Sequence, residues 1–356
     1  MKIIHVINSL ATGGAETLVV DLATSMRSLG HDVKIVAIGR TRGVPLDVAR
    51  ARELRVNLLG RSTRDLGALL ALRKSLRGAD IVHVHLFPSL YLVPLVARGA
   101  VLHYTEHSTW NRRRDKRIFR VPDRFAYRKY SRIIAISEGV RKPLQKYLAK
   151  LGVHSSVAVV ANGIGDAFFS SKLRRHRDVK PPLKLIAVGT LDNRKNFGDA
   201  IRAVAQCPLV QLTIVGVGPE RDLLQNLIAT LHVSDRIRLH GPSDDVAALM
   251  DQHHALLSTS RFEGFSLVAA EAMALGLPVI GPDVDGFNES VIDQTTGLLF
   301  DQSRGVPDIV ETILELQANV GAFAEMSENA LEHALKFQIQ RAAESYLAIY
   351  ADSLQD

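Results

Sequence analysis

The chain of 356 residues holds a single cysteine, Cys207, and a single tryptophan. A lone cysteine excludes a disulfide framework and a multi-cysteine zinc site, and beside Pro208 it reads as an inert core residue. Aromatic residues make up 6% of the chain, too few to pave a surface for base stacking, which argues against a nucleic acid as partner. No apolar run reaches the roughly 18–20 residues of a membrane span. The best candidate, residues 86–102, is broken by Pro88, Pro94 and Arg98. The opening KIIHVI is a short apolar run closed by Asn8 and Ser9, without the layout of a secretory signal. Gly-x-Ser-x-Gly is absent, which removes hydrolases built on a nucleophile elbow. The expectation is a soluble, cytoplasmic protein.

What is present points to a folded chain. Hydrophobic residues make up 47% and charged residues 23%, and the length suits two domains of about 100–200 residues each. The net charge of +7 is unevenly placed. Residues 1–178 carry 32 Lys and Arg against 13 Asp and Glu, whereas residues 179–356 carry 12 against 24. The densest basic stretch is 112–132, opening with Arg112, Arg113, Arg114, Lys116 and Arg117 and opposed only by Asp115 and Asp123. Such a run is either a solvated helix face or a surface for an anionic partner, such as a lipid headgroup or a diphosphate. The bias of the whole half favours the second.

Short β-branched runs alternate with helical periods. Residues 3–7 read as a strand and 15–29 as a helix closed by Gly30. Strands follow at 33–38, 81–84, 101–105, 133–136 and 157–160, with Ser137 capping a helix. Runs unrelieved by polar alternation indicate parallel strands covered on both faces. Residues 166–182, polar, basic and ending in Pro181-Pro182, read as a linker. The pattern then restarts, with strands at 183–188, 209–215, 236–239, 255–257 and 278–280. The fold class is therefore α/β, with two doubly wound Rossmann-like domains at 1–165 and 183–335. A C-terminal helical segment, 336–356, is expected to return to the first domain. Ligands of such sheets sit beyond the carboxyl ends of the strands, so a cleft between two facing domains is the expected site.

Three segments could carry chemistry. Gly13 and Gly14 separate the first strand from its helix and let a ligand approach free backbone N–H groups. Arg194 and Lys195 follow the strand that opens the second half, where adjacent cations suit a diphosphate. The third is SRFEGFSLVAAEAMALGLPVI, residues 260–280. There Ser266 caps a helix that Gly276 ends, Glu263 lies in the loop before it, and Glu271 lies inside it among apolar residues. A helix start favours a phosphate, and flanking carboxylates accept hydrogen bonds from sugar or ribose hydroxyls. His83 and His85 share a strand face, but no sequence spacing supplies a third metal ligand, and Asp283-Val-Asp285 reads as a loop. No metal and no cofactor is expected.

These residues resemble family-4 glycosyltransferases of the GT-B fold, which are retaining and use nucleotide sugars. The matches, in the family's order over residues 1–300, are Gly13-Gly14-Ala-Glu16, His83-Val-His85, Glu106-His107, Ala135-Ile-Ser137 and Val160-Ala-Asn162-Gly163-Ile164. They continue with Val188-Gly189, Lys195-Asn196, Ile214-Val-Gly216-Val-Gly218-Pro219, the Glu263/Glu271 pair, and Gly286 with Glu289. The resemblance implies that Lys195 holds the donor diphosphate, Glu271 the ribose hydroxyls and Glu263 the donor sugar hydroxyls. It implies that backbone amides at Gly13, Gly14, Gly264, Phe265, Ser266 and Leu267 face the phosphates, and that His107 faces the donor sugar. At Thr190 the family often carries Arg, and Arg194 is the candidate substitute. The first domain would be the acceptor side, with residues 112–117 facing a saccharide or lipid-diphosphate acceptor at an anionic membrane. The expected function is sugar transfer from a nucleoside diphosphate sugar, by catalysis through His107, Lys195 and Glu263. The alternatives are a nucleotide-sugar epimerase, or a non-catalytic membrane- or RNA-binding module on the same fold.

Overall fold

Two fully parallel sheets organise the computed structural model, which describes residues 1–11, 13–39, 43–60, 66–169 and 180–355. Residues 1–163 and 338–356 form one compact unit, and residues 164–337 the other.

In the first unit the strands are β1 (Lys2–Ile7), β2 (Asp32–Ala37), β3 (Arg55–Leu58), β4 (Ile81–His85), β5 (Val101–Glu106), β6 (Arg132–Ala135) and β7 (Val157–Val159). They lie in the order β3-β2-β1-β4-β5-β6-β7. The helices are α1 (Gly14–Ser28), α2 (Val44–Ala51), α3 (Leu66–Ser75), α4 (Ser89–Val96), α5 (Arg120–Tyr127) and α6 (Glu138–Lys150). Every residue of β4 is buried, as helical cover on both faces demands. β3 has no counterpart in the strands read from the sequence. It is a four-residue edge strand, RVNL, exposed or half-buried throughout, so no apolar run marks it.

The second unit carries β8 (Leu183–Val188), β9 (Val210–Val215), β10 (Ile237–Gly241), β11 (Ala255–Leu257), β12 (Val279–Pro282) and β13 (Gly297–Phe300), in the order β10-β9-β8-β11-β12-β13. Its helices are α7 (Phe197–Ala205), α8 (Arg221–Thr230), α9 (Val246–Asp251), α10 (Leu267–Ala274), α11 (Val306–Ala318) and α12 (Val320–Ala334). β13 is a sixth strand where the sequence suggested five. It is a largely buried edge strand of four residues, GLLF. The order reverses between β1 and β4 and again between β8 and β11, and at such switch points the loops beyond the strands diverge and leave room for a ligand.

The chain passes between units at 163/164 and at 337/338. Of the linker read at 166–182, Asp166–Phe169 form a 3-10 turn within the second unit, and 170–179 lie outside the described residues. Ile164 N–H donates to Phe337 O at 2.8 Å, which ties the crossings together. A Cβ on Gly163 would lie 2.6 Å from the Ile339 Cα, so only glycine fits beside the returning chain. The last helix, α13 (Ile339–Gln355), then buries Tyr346 and Tyr350 in the core of the first unit, with α1 and the sheet.

Candidate functional site

Within the second unit, the loops after β8 and β11 meet at the switch point. Lys195 Nζ donates to Glu263 Oε1 at 2.6 Å, with side chains 25% and 14% exposed. Two elements fix this pair. Thr259 Oγ1 lies 3.0 Å from both Lys195 O and Asn196 O, and Arg261 N–H donates to Arg194 O at 2.8 Å. Behind Glu263, Gly286 (φ +85°) presses so close that a Cβ would lie 2.5 Å from Glu263 O and 2.7 Å from Gly264 O. Asp283 and Asp285 are exposed in the loop that carries Gly286, and this loop backs the Glu263 loop.

Ser266 caps α10 by accepting from Ala269 N–H, and Gly276 follows the helix at φ +72°. Phe265 is buried edge-to-face on Phe337, which anchors the segment between Glu263 and the helix start. Leu267 opens α10, and Glu271 is half-buried within it. A small cavity is lined by Lys195, Phe197, Ser258, Thr259, Ser266 and Val268. Arg194, expected as a second cation beside Lys195, still feels the Glu263 charge but pairs with Asp192. Its guanidinium donates to Asp192 Oδ2 at 2.6 and 3.1 Å and is largely exposed. Partial burial pushes the Asp192 carboxyl up, but Arg194 and the backbone amides of Arg194 and Lys195 outweigh it and hold the group below its ordinary value. Thr190 is exposed at the end of β8.

In the first unit, Gly13 precedes α1 and Gly14 begins it, with no side-chain cap; the Glu16 carboxylate folds back against Gly13. His107 follows β5 and is half-buried. Behind it lies a network that the sequence did not reveal. The register aligns His5, His83 and His103 across β1, β4 and β5, with His85 beside Thr105. His5, His83, His85 and His103 are fully buried. His5 Nδ1 lies 3.1 Å from His85 Nε2, and His85 Nδ1 lies 3.1 Å from His107 Nε2. His83 pairs with Thr105 Oγ1 at 2.7 Å and with the Tyr350 hydroxyl at 2.5 Å. Burial lowers His5 and His103 to about 4, and holds His83 and His85 well below their ordinary value, with neighbouring imidazoles adding to it. His5 thus supplies the third ring that sequence spacing did not, within 4.8 Å of His83 and His85. Both nitrogens of His83 and of His85 are engaged in hydrogen bonds, so the cluster is built as a neutral hydrogen-bond network. What the sequence could not supply was the register, which sets His5 and His103 level with His83 on one face of the sheet.

The basic segment after His107 requires a correction. Arg113 and Arg114, expected on an acceptor or membrane face, are buried and paired with Asp123 and Glu106. Arg113 also meets the hydroxyls of Tyr91 and Tyr127 at 3.1 and 3.2 Å. Buried guanidinium groups need such partners, and the pairs fold the loop rather than face a ligand. Arg112, Lys116 and Arg117 are exposed.

Two family models match the chain: one described as Glycosyltransferase Family 4 over residues 12–168, and one as Glycosyl transferases group 1 over residues 170–333. The chain is 33% identical over 180 residues to N-acetyl-alpha-D-glucosaminyl L-malate synthase of Bacillus anthracis, covering 48% of this chain and 46% of that one, about half the relative's length. It is 26% identical over 349 residues to the GDP-mannose:cellobiosyl-diphosphopolyprenol alpha-mannosyltransferase of Xanthomonas campestris, covering 90% and 88%. Among solved structures, Anabaena Alr3699/HepE in complex with UDP and glucose superposes with a TM-score of 0.85 at 22% identity, covering 99% of this chain and all of that one.

Proposed function

Since the chain belongs to glycosyltransferase family 4 and has the GT-B fold, we propose that it moves a sugar from a nucleoside diphosphate sugar to an acceptor, with retention at the anomeric carbon. The observation that carries this reading is the Lys195–Glu263 pair at the β8/β11 switch point, next to the Ser266-capped start of α10. As the bond from the anomeric carbon to the diphosphate oxygen breaks, charge grows on the phosphate and the sugar becomes oxocarbenium-like. Lys195 and the positive end of α10 stabilise the leaving diphosphate. Glu263 orients the donor sugar through its hydroxyls, Glu271 holds the ribose, and His107 faces the sugar. Because Lys195 neutralises the phosphate directly, transfer is proposed to survive chelation by EDTA. UDP is the first nucleotide to try, because the Anabaena neighbour was solved with it. Incubation with UDP-, GDP- and ADP-sugars should give saturable, acceptor-dependent release of one nucleoside diphosphate. Release of none overturns the reading, and isomerisation of the sugar without an acceptor favours an epimerase.

The acceptor is proposed to be lipid-linked and reached at an anionic membrane surface, like the diphosphopolyprenol in the name of the Xanthomonas relative. Among the described residues, no helix is long and apolar enough to cross a membrane. Around α5, however, Ile118 and Val121 are each 78% exposed and Phe125 is 49% exposed. Their spacing puts them on one helical face, beside exposed Arg117, Arg120, Arg124 and Arg128. An apolar stripe flanked by guanidinium groups suits the headgroup boundary, where each basic residue contributes about 1 kcal/mol. The protein should co-sediment with anionic vesicles, not neutral ones, and release as salt rises. Serine at 118, 121 and 125 should abolish this without changing nucleotide affinity. Indifference of the unaltered chain to anionic vesicles overturns the membrane reading.

A further inference from the structure

We propose that His5, His85 and His107 form a tautomer relay, in which His5 and His85 are positioning residues that hold His107 in its Nδ1–H form. The half-buried ring at the end of β5 then presents a hydrogen-bond donor, not a base. The catalytic meaning of the relay rests on the reading of His107 as the residue facing the donor sugar; the relay itself rests on geometry alone.

A neutral imidazole has one N–H and one lone pair. His5 and His85 are fully buried, and each of the two links spans 3.1 Å. Burial favours the neutral form in all three rings, with Glu106 opposing it at His107. A ring that donates at one nitrogen must accept at the other, so the links leave two arrangements. In one, every ring is Nδ1–H: His5 donates to His85, His85 donates to His107, and the His107 Nδ1–H is left at the open end. In the other, every ring is Nε2–H, the direction of donation is reversed, and His107 ends in a bare lone pair at Nδ1.

The buried end chooses between them. His5 Nε2 has no hydrogen-bond partner among the described residues. In the first arrangement that atom is an unfilled acceptor; in the second it is an N–H buried without an acceptor. In folded proteins orphaned buried N–H groups are rarer than under-used acceptors. The first arrangement follows, and the choice passes through His85 to His107. The ring of His83, itself held by Tyr350 of α13, lies 4.1 Å from that of His85, centroid to centroid, and buttresses its orientation. The charged groups nearest these rings are Glu106, at His107, and Arg132, at His103.

Selective labelling of histidine with 15N in the full chain reads the tautomer directly, because protonated and bare ring nitrogens resonate far apart. His107 should be Nδ1–H with an unprotonated Nε2. His5→Asn keeps an N–H donor aimed at His85 and should preserve that signature. His5→Phe cannot donate, and should relax His107 to a mixture and lower kcat about tenfold, with little change in the donor KM. An Nε2–H signature at His107 in the unaltered chain overturns the relay, as does an unchanged signature in His5→Phe. Should His5→Phe not fold, the spectra of the unaltered chain and His5→Asn decide. If the relay signature is present but His107→Ala transfers at the normal rate, the relay stands and the role given to His107 falls.

Discussion

Replacing Glu263 by glutamine should tighten binding of bare UDP and at the same time slow sugar transfer. Lys195 Nζ lies 2.6 Å from Glu263 Oε1, and the side chains are 25% and 14% exposed. The pair therefore stands between an exposed ion pair, worth at most about 1 kcal/mol, and a buried one, which costs about 3–5 kcal/mol to break. A diphosphate that reaches Lys195 shares the amine with this carboxylate. Glutamine keeps the shape and an acceptor oxygen but removes the competing charge. If about 1 kcal/mol of attraction returns to the phosphate, the Kd for UDP falls about fivefold. Transfer moves the other way. The donor sugar loses a charged acceptor, worth about 1.5–3 kcal/mol, or roughly 10–150-fold in kcat. Lys195→Ala is the counterpart: UDP binds more weakly, and turnover falls by about 2–4 kcal/mol, roughly 30–1,000-fold. Calorimetry with UDP, on variants shown by thermal melts to be folded, gives the sign. Weaker or unchanged UDP binding by Glu263→Gln would refute the competition, and normal turnover by Lys195→Ala would refute the phosphate role.

Glu271→Ala should weaken bare UDP, since its proposed partner is the ribose, and calorimetry that shows normal affinity would remove it from the nucleotide site. Arg113→Gln should destabilise the chain by about 3–5 kcal/mol, because it removes the opposite charge from the buried Asp123 and leaves it only the Tyr91 and Tyr147 hydroxyls, whereas Arg112→Gln at the surface should stay within about 0.5 kcal/mol. Urea denaturation of both variants checks this, and equal small effects would contradict the buried pair. Acid should destabilise the first unit through its histidines. Folding lowers His5 and His103 from 6.5 to about 4 and takes His83 and His85 well below 6.5. Above 6.5 both states are neutral and the full stability is present. As pH falls below that value the unfolded chain binds protons that the fold refuses, so stability drops by about 1.4 kcal/mol per pH unit for each ring. Urea melts across this window should show that slope, and a flat profile would mean that the rings are solvated.

Local chemistry was legible in the sequence wherever neighbours along the chain decide the outcome. Apolar runs such as IIAI at 133–136, buried throughout, marked the parallel strands, because a strand covered on both faces needs no polar alternation. Ser266 and Gly276 bounded α10 by capping chemistry that acts within a few residues, and the motif contexts singled out Lys195 and Glu263, which the fold brings to 2.6 Å. The edge strands β3 and β13 escaped; β3, RVNL, is exposed or half-buried throughout and carries no apolar run to show it. Tertiary structure alone decided which charges face water and which histidines meet. Arg112, Arg113 and Arg114 are identical in the chain, yet Arg113 and Arg114 are drawn inward by carboxylates supplied from α5 and β5, and Arg112 is not. His5 meets His85 across 80 residues of sequence because strand register, a property of the paired backbone, brings their strands side by side. Burial then matters more than residue type: the same imidazole that would titrate near neutrality on the surface stays neutral in the core, because moving a charge out of water costs more than the proton's binding returns.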